Sequence, residues 1–141
     1  MKKKCTKSLP LRVLLVEDSI ELQTMLQAML SEIPSVEVIA SVESEKDALA
    51  VMREDHTDLA IVDLELRSGT GLGVLKNLHD SLDGNDGRVC VVVFSNYSNL
   101  VIRHRCLNLG AMAFFDKSFQ IDDLLEFVQK QASGAAKGLS A

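Results

Sequence analysis

Three acidic side chains stand at the ends of short apolar runs in this 141-residue chain. Glu17 and Asp18 follow one run, in Val-Leu-Leu-Val-Glu-Asp-Ser, and Asp63 closes another, in Leu-Ala-Ile-Val-Asp-Leu-Glu-Leu. Ser95 ends a third, in Val-Val-Val-Phe-Ser-Asn, and Lys117 follows a fourth, in Ala-Phe-Phe-Asp-Lys-Ser. Carboxylates gathered in one cleft repel one another, and one of them is driven towards protonation unless a cation joins them. A hard divalent ion such as Mg²⁺ removes the conflict, because it takes carboxylate and phosphate oxygens and keeps some of its water. A hydroxyl and an ammonium close by can hold phosphoryl oxygens. Together these groups suit in-line attack on phosphorus by the Asp63 carboxylate, which yields an acyl phosphate.

That chemistry needs a scaffold that brings the four segments together. Five apolar runs, Arg12–Val16, Val36–Ser41, Leu59–Asp63, Val89–Phe94 and Met112–Phe115, are short and rich in Val and Ile, as buried parallel strands are. Between them the apolar spacing becomes helical. Leu22, Met25, Leu26, Met29 and Leu30 form one stripe, with both methionines expected in the core, and it ends near Ser31–Pro34. Ala48, Leu49 and Met52 form a second, preceded by Ser44 and Asp47 as a capping pair. Leu72, Leu75 and Leu78 form a third; Leu100, Val101, His104 and Leu107 a fourth; Ile121, Leu124, Leu125 and Val128 a fifth. Asp18 has a second reading, as the cap of the first helix with Glu21 as its capping-box partner. Gly84, Asn85 and Gly87 mark a turn before the fourth strand.

Regular alternation of strand and helix predicts an α/β fold, a doubly wound five-stranded parallel sheet covered by helices on both faces. In such sheets ligands bind beyond the carboxyl ends of the strands, where the strand order reverses. The expected organisation is a flexible basic tail over residues 1–10, one domain over 11–131, and a flexible tail over 132–141.

Composition narrows the partners. Lys2, Lys3, Lys4, Lys7 and Lys137 lie outside the patterned region, which leaves ten basic residues there against 20 acidic ones. A domain that acidic is a poor partner for DNA or an anionic membrane. No apolar run approaches the ~20 residues that span a bilayer, and no secretory pattern follows the lysines, so the expected location is the cytoplasm. Cys5, Cys90 and Cys106 are scattered, without metal-site spacing to His56, His79 or His104, and read as reduced thiols.

Taken in order along the chain, the Glu17–Asp18 pair, Asp63, the Ser68-Gly69-Thr70-Gly71-Leu72 loop, Ser95 and Lys117 resemble the receiver domains of two-component response regulators. The resemblance covers roughly Leu11 to Gln131. It implies a flavodoxin-like sheet of strand order 2-1-3-4-5, which sets the first and third strands side by side. It implies that Asp63 is the phosphoacceptor and that Glu17, Asp18, Asp63 and the backbone carbonyl of Glu65 hold Mg²⁺, with Mn²⁺ as a substitute. It makes Ser95 and Lys117 the switch hydroxyl and the phosphate-binding lysine, places Phe114 at the aromatic switch position, and gives Glu65 and Tyr97 the tuning of acyl-phosphate loss. The implied partners are a histidine kinase or histidine phosphotransfer protein, a separate downstream protein, and a second copy in a transient dimer. Beyond its own phosphorylation and slow dephosphorylation no catalysis is expected.

The chain departs from the family in three places. Arg67 and Ser118 replace common prolines, the second of which suggests a looser loop after Lys117, and Phe114 lacks the phenol oxygen of a tyrosine. Two other functions compete. A phosphatase with an Asp nucleophile would use Asp63 and Glu65, but its second acid is normally Asp. An interaction module indifferent to phosphate would not need all five site groups. Arg103, His104 and Arg105 read either as a solvated helix face or as a partner surface.

Overall fold

The computed structural model describes residues 9–80, 89–96 and 99–138. Lysines 2–7, Cys5, the expected turn at 84–87 and Tyr97 lie outside them. Five parallel strands, β1 (Leu11–Val16), β2 (Val36–Val42), β3 (Leu59–Val62), β4 (Cys90–Ser95) and β5 (Ala113–Asp116), form one sheet of order β2-β1-β3-β4-β5. Helices α1 (Ile20–Ser31), α2 (Glu45–Glu54), α3 (Gly71–Asp80), α4 (Leu100–Asn108) and α5 (Ile121–Gly138) alternate with them. This is the doubly wound α/β architecture that the alternating pattern predicts.

Successive strand side chains point to opposite faces, and each face has its own core. Val13 and Leu15 face Leu26 and Leu30 of α1 and Leu124 and Val128 of α5. Leu14 and Val16 face Ala48 of α2, Val74 and Leu75 of α3, and Cys106 of α4. The central strands β1 and β3 are buried almost throughout, whereas β2, at the edge, is half-buried. Burial pushes the thiols of Cys90 and Cys106 up to about 11, so both stay protonated.

Three stretches differ from the periodicity. In α1 the buried residues are Gln23, Leu26 and Leu30, and Met25 is 38% exposed. Gln23 turns the helix, because its side-chain amide donates to the carbonyl of Glu17 and is thereby satisfied inside. A count of apolar residues cannot see a buried glutamine. In α4 the stripe read as a buried face is exposed, with Leu100 at 83%, Val101 at 74% and Leu107 at 48%. Ile102, Cys106 and Leu109 pack inward instead, at the equally helical spacing i, i+4, i+7. Helix α5 runs past Gln131 to Gly138, and buried Ala132 extends the Leu124–Val128 stripe by one turn.

The α1 orientation has a direct test. Leu26→Ala should cost about 3 kcal/mol in urea unfolding, as fully buried leucines do. Met25→Ala should cost less than about 1 kcal/mol; equal losses at the two positions would contradict this packing.

Candidate functional site

The ends of β1 and β3 lie side by side, with Val16 opposite Val62. The next peptide extends that pairing, as the Asp63 N–H donates to the Val16 carbonyl at 3.0 Å. Here the strand order reverses: the chain leaves β1 for β2 on one side and returns to β3 on the other. The carboxylates of Glu17, Asp18 and Asp63 therefore converge, with one oxygen from each within 4.8 Å of the others. Glu17 and Asp63 are buried, and Asp18 is half-buried.

Local structure fixes each group. The Glu17 amide donates to Val42 at 2.9 Å, and its carboxylate accepts the Ser19 N–H at 3.0 Å. Ser19, one residue after Asp18, is the cap of α1, its hydroxyl accepting from the Leu22 amide at 3.2 Å. Asp18 is thus not the cap that the Glu21 spacing suggested. Asp63 accepts the Glu65 N–H on one oxygen at 3.2 Å and the Lys117 ammonium on the other at 2.8 Å. Lys117 also reaches Glu17 at 2.8 Å and so bridges the two buried acids. At Gly71, the first residue of α3, a methyl group would collide with the Asp63 carbonyl, so only glycine lets the helix start this close.

The electrostatics are those of a crowded acidic cleft. Burial raises the pKa of Glu17, and its hydrogen bonds to Lys117 and Ser19 only partly oppose this. For Lys117, burial acts downwards, but the hydrogen bonds to Asp63 and Glu17 outweigh it and hold the ammonium above its usual range. Three carboxylates against one ammonium leave two formal negative charges. A hard divalent cation matches both that deficit and the all-oxygen donor set.

Ser95 is fully buried at the end of β4, and its carbonyl accepts the Lys117 amide at 3.2 Å. Phe114 is buried in β5, 6% exposed. The Arg103 guanidinium lies 4.9 Å from its ring centroid and donates to its carbonyl at 3.2 Å. Thus Arg103 packs against β5, while His104 and Arg105 are exposed. Glu65 is exposed beside Asp63. Ser118 donates its amide to the Asp116 carboxylate at 2.7 Å, a bond that proline cannot make. The Asp116 amide in turn donates to the Gln120 side chain at 2.8 Å. The Arg103–Phe114 contact, the burial of Gln23 and the Asp116–Gln120 pair escaped the sequence reading because each involves a backbone partner that no side-chain pattern encodes.

Residues 13–129 match the family described as the response regulator receiver domain. Over 124 residues the chain is 27% identical to the nitrate/nitrite response regulator protein homolog of Haemophilus influenzae, covering 88% of this chain and 58% of that protein. It therefore spans little more than half of that relative's length. The CheY-like receiver domain protein from Methanospirillum hungatei superposes with a TM-score of 0.75 at 25% identity, covering 93% of this chain and 99% of that one. The Mn²⁺-bound form of response regulator Rcp1 superposes with a TM-score of 0.72 at 26% identity, covering 86% of this chain and 91% of that one.

The charge deficit predicts that a divalent ion stabilises the fold. With free Mg²⁺ at 100 times its Kd, urea unfolding should show a gain of about 2.7 kcal/mol over protein in EDTA. Asp18→Asn should fold in EDTA yet lose most of that gain. Wild-type stability that is the same with and without Mg²⁺ would refute this account of the cleft.

Proposed function

The chain belongs to the response regulator receiver domain family, and from that premise we propose that Asp63 accepts a phosphoryl group whose charge is then read by the surrounding switch residues. One observation carries the reading. Asp63 is 5% exposed, one carboxylate oxygen is held by Lys117, and it belongs to the only acidic cluster among the described residues placed to hold a metal.

Glu17, Asp18, Asp63 and the backbone carbonyl of Glu65 would hold Mg²⁺. When bound, the ion neutralises charge on the phosphoryl oxygens and orients them for in-line attack. The Mn²⁺ in the Rcp1 structure supports Mn²⁺ as a substitute. The donor would be a phosphorylated imidazole on a histidine kinase or phosphotransfer protein. An oxygen of Asp63 attacks phosphorus, the P–N bond breaks, and the imidazole leaves. Lys117, already on Asp63, stays with the transferred oxygens, and Ser95 supplies a hydroxyl donor from β4. These two residues and Asp63 are the reacting set.

The product places about two negative charges where one carboxylate stood. Lys117 then shifts from Glu17 towards the phosphoryl group, and its loop and β5 follow. Phe114 and Arg103 carry that movement to α4. Leu100, Val101 and Leu107, exposed on α4, form an apolar stripe suited to a protein partner. That partner is a separate protein, a joined domain or a second copy in a transient dimer. The acidic surface disfavours DNA, and among the described residues no helix is long and apolar enough to cross a membrane; a cytoplasmic site of action accords with both. Glu65, beside the acceptor, and Tyr97 would set how fast the acyl phosphate is lost.

Phosphoramidate or acetyl phosphate with Mg²⁺ should add one phosphoryl group, seen by intact mass and mapped to Asp63 after borohydride reduction. EDTA or Asp63→Asn should abolish it. Lys117→Met should slow it by about 10²-fold, the effect of removing one positioned charge donor. Phosphorylation that persists in Asp63→Asn, or its absence from the wild type, would overturn the reading.

A further inference from the structure

Glu45, the first residue of α2, lies away from the acidic cleft in sequence and belongs to none of the motifs above, yet it is built into the loop that follows Asp63. Its carboxylate accepts the Thr70 amide at 3.0 Å and the Asn77 side-chain amide at 3.4 Å. Its own amide donates to the Ser68 carbonyl at 3.2 Å, and the preceding Ser44 forms a parallel bridge with Ser68. The side chain occupies a slot between two glycines: a methyl group on Gly69 or on Gly73 would collide with it. Gly69 also has φ +80, a conformation that other residues rarely adopt.

Thr70 links this anchor to the site. It forms an antiparallel bridge with Glu65, whose amide donates to Asp63 at 3.2 Å. Its hydroxyl accepts the Gly73 amide at 2.9 Å and caps the start of α3. The chain of contacts is therefore Glu45 to Thr70, Thr70 to Glu65, and Glu65 to the acceptor carboxylate. Leu64 and Leu66 anchor the start of this loop in the core, whereas residues 67–70 are exposed. There the Glu45 carboxylate is the side-chain contact from α2 that the hydrogen bonds show, and Arg67 supplies no φ restraint.

We propose that Glu45 is a positioning residue that clamps the Leu64–Thr70 loop from α2 and thereby sets the affinity of the acidic site for its divalent ion. The inference rests on the metal-site reading above. Glu45 touches neither metal nor phosphate; it acts by keeping Glu65 and Asp63 in one arrangement before the ion arrives. Loosening the loop makes ordering it part of the binding step. The apparent Kd rises, while a site saturated with ion reacts normally.

Two variants attack the clamp from opposite sides. Glu45→Ala removes the carboxylate. Gly73→Ala leaves Glu45 intact but fills its slot, and by helix propensity alone alanine favours α3. Mn²⁺ binding is followed by electron paramagnetic resonance of the free ion, and phosphorylation by phosphoramidate is measured across Mg²⁺ concentrations. Both variants should raise the Mn²⁺ Kd by about 5-fold, roughly 1 kcal/mol of lost pre-organisation, and should approach the wild-type rate at saturating Mg²⁺. Glu45→Gln, which keeps an acceptor for Thr70, should recover most of the affinity. Urea unfolding confirms that each variant is folded. Wild-type Mn²⁺ affinity in folded Glu45→Ala and Gly73→Ala would overturn the clamp. Wild-type protein that binds Mn²⁺ but takes no phosphate would overturn the reading of Asp63 and leave the clamp supported. Wild-type protein that binds no Mn²⁺ would overturn both.

Discussion

The structure depends on one electrostatic imbalance at the point where the sheet reverses direction. Glu17, Asp18 and Asp63 are held together by strand pairing, and among the described residues Lys117 alone forms an ion pair with them. Two of the acids are buried, so water cannot screen the repulsion. Lys117, one residue past the end of the fifth strand, reaches back to both buried acids at 2.8 Å. The same bond that relieves the repulsion ties the loop after β5 to β3, across the intervening β4. Any change in charge at Asp63 is felt at once by Lys117 and by the elements that carry it.

Much of this was legible in the sequence because the strand ends were. Short Val- and Ile-rich runs ended on Glu17, Asp63 and Ser95, and regular alternation with helices left few ways to arrange them. The strand order and the convergence of the acids follow from those facts and the resemblance they support. The helix faces were less legible. Gln23 is polar by type but buried by virtue of one hydrogen bond to a backbone carbonyl, and α4 carries two apolar stripes of valid helical period. Periodicity detects that a stripe exists; packing decides which one faces in. Glu45 was invisible for a related reason, since the two glycines that make room for it come together with it only in the fold.

The replaced prolines show how a chain can supply rigidity in another way. A proline at 118 would fix the backbone covalently but contribute no N–H. Ser118 instead gives its amide to Asp116, whose own amide is held by Gln120, so the loop after Lys117 is restrained by an Asx-type turn closed by the residue just before α5. At the other departure, Arg67 is exposed, and the restraint on its loop comes from Ser44 and Glu45 on the far side. The expectation of a looser loop after Lys117 rested on the missing proline alone. Hydrogen bonds also restrain both loops, with the difference that they can be broken and remade.

Phe114 extends this logic to β5. Without a phenol oxygen, its ring has no hydrogen bond to gain by moving, so its position is governed by packing and by the cation above it. Arg103 supplies both a face-on charge and a bond to the Phe114 carbonyl, and it sits in α4 one turn from the exposed Leu100 and Leu107. Exposed cation–aromatic contacts are worth about 0.5–1 kcal/mol and partly desolvated ones more, a weak but directional coupling. Through these two contacts Arg103 couples the packing of β5 to that of α4. The ring and the backbone of Phe114 are thus both held from α4 by one side chain, where a tyrosine would add a hydrogen bond of its own.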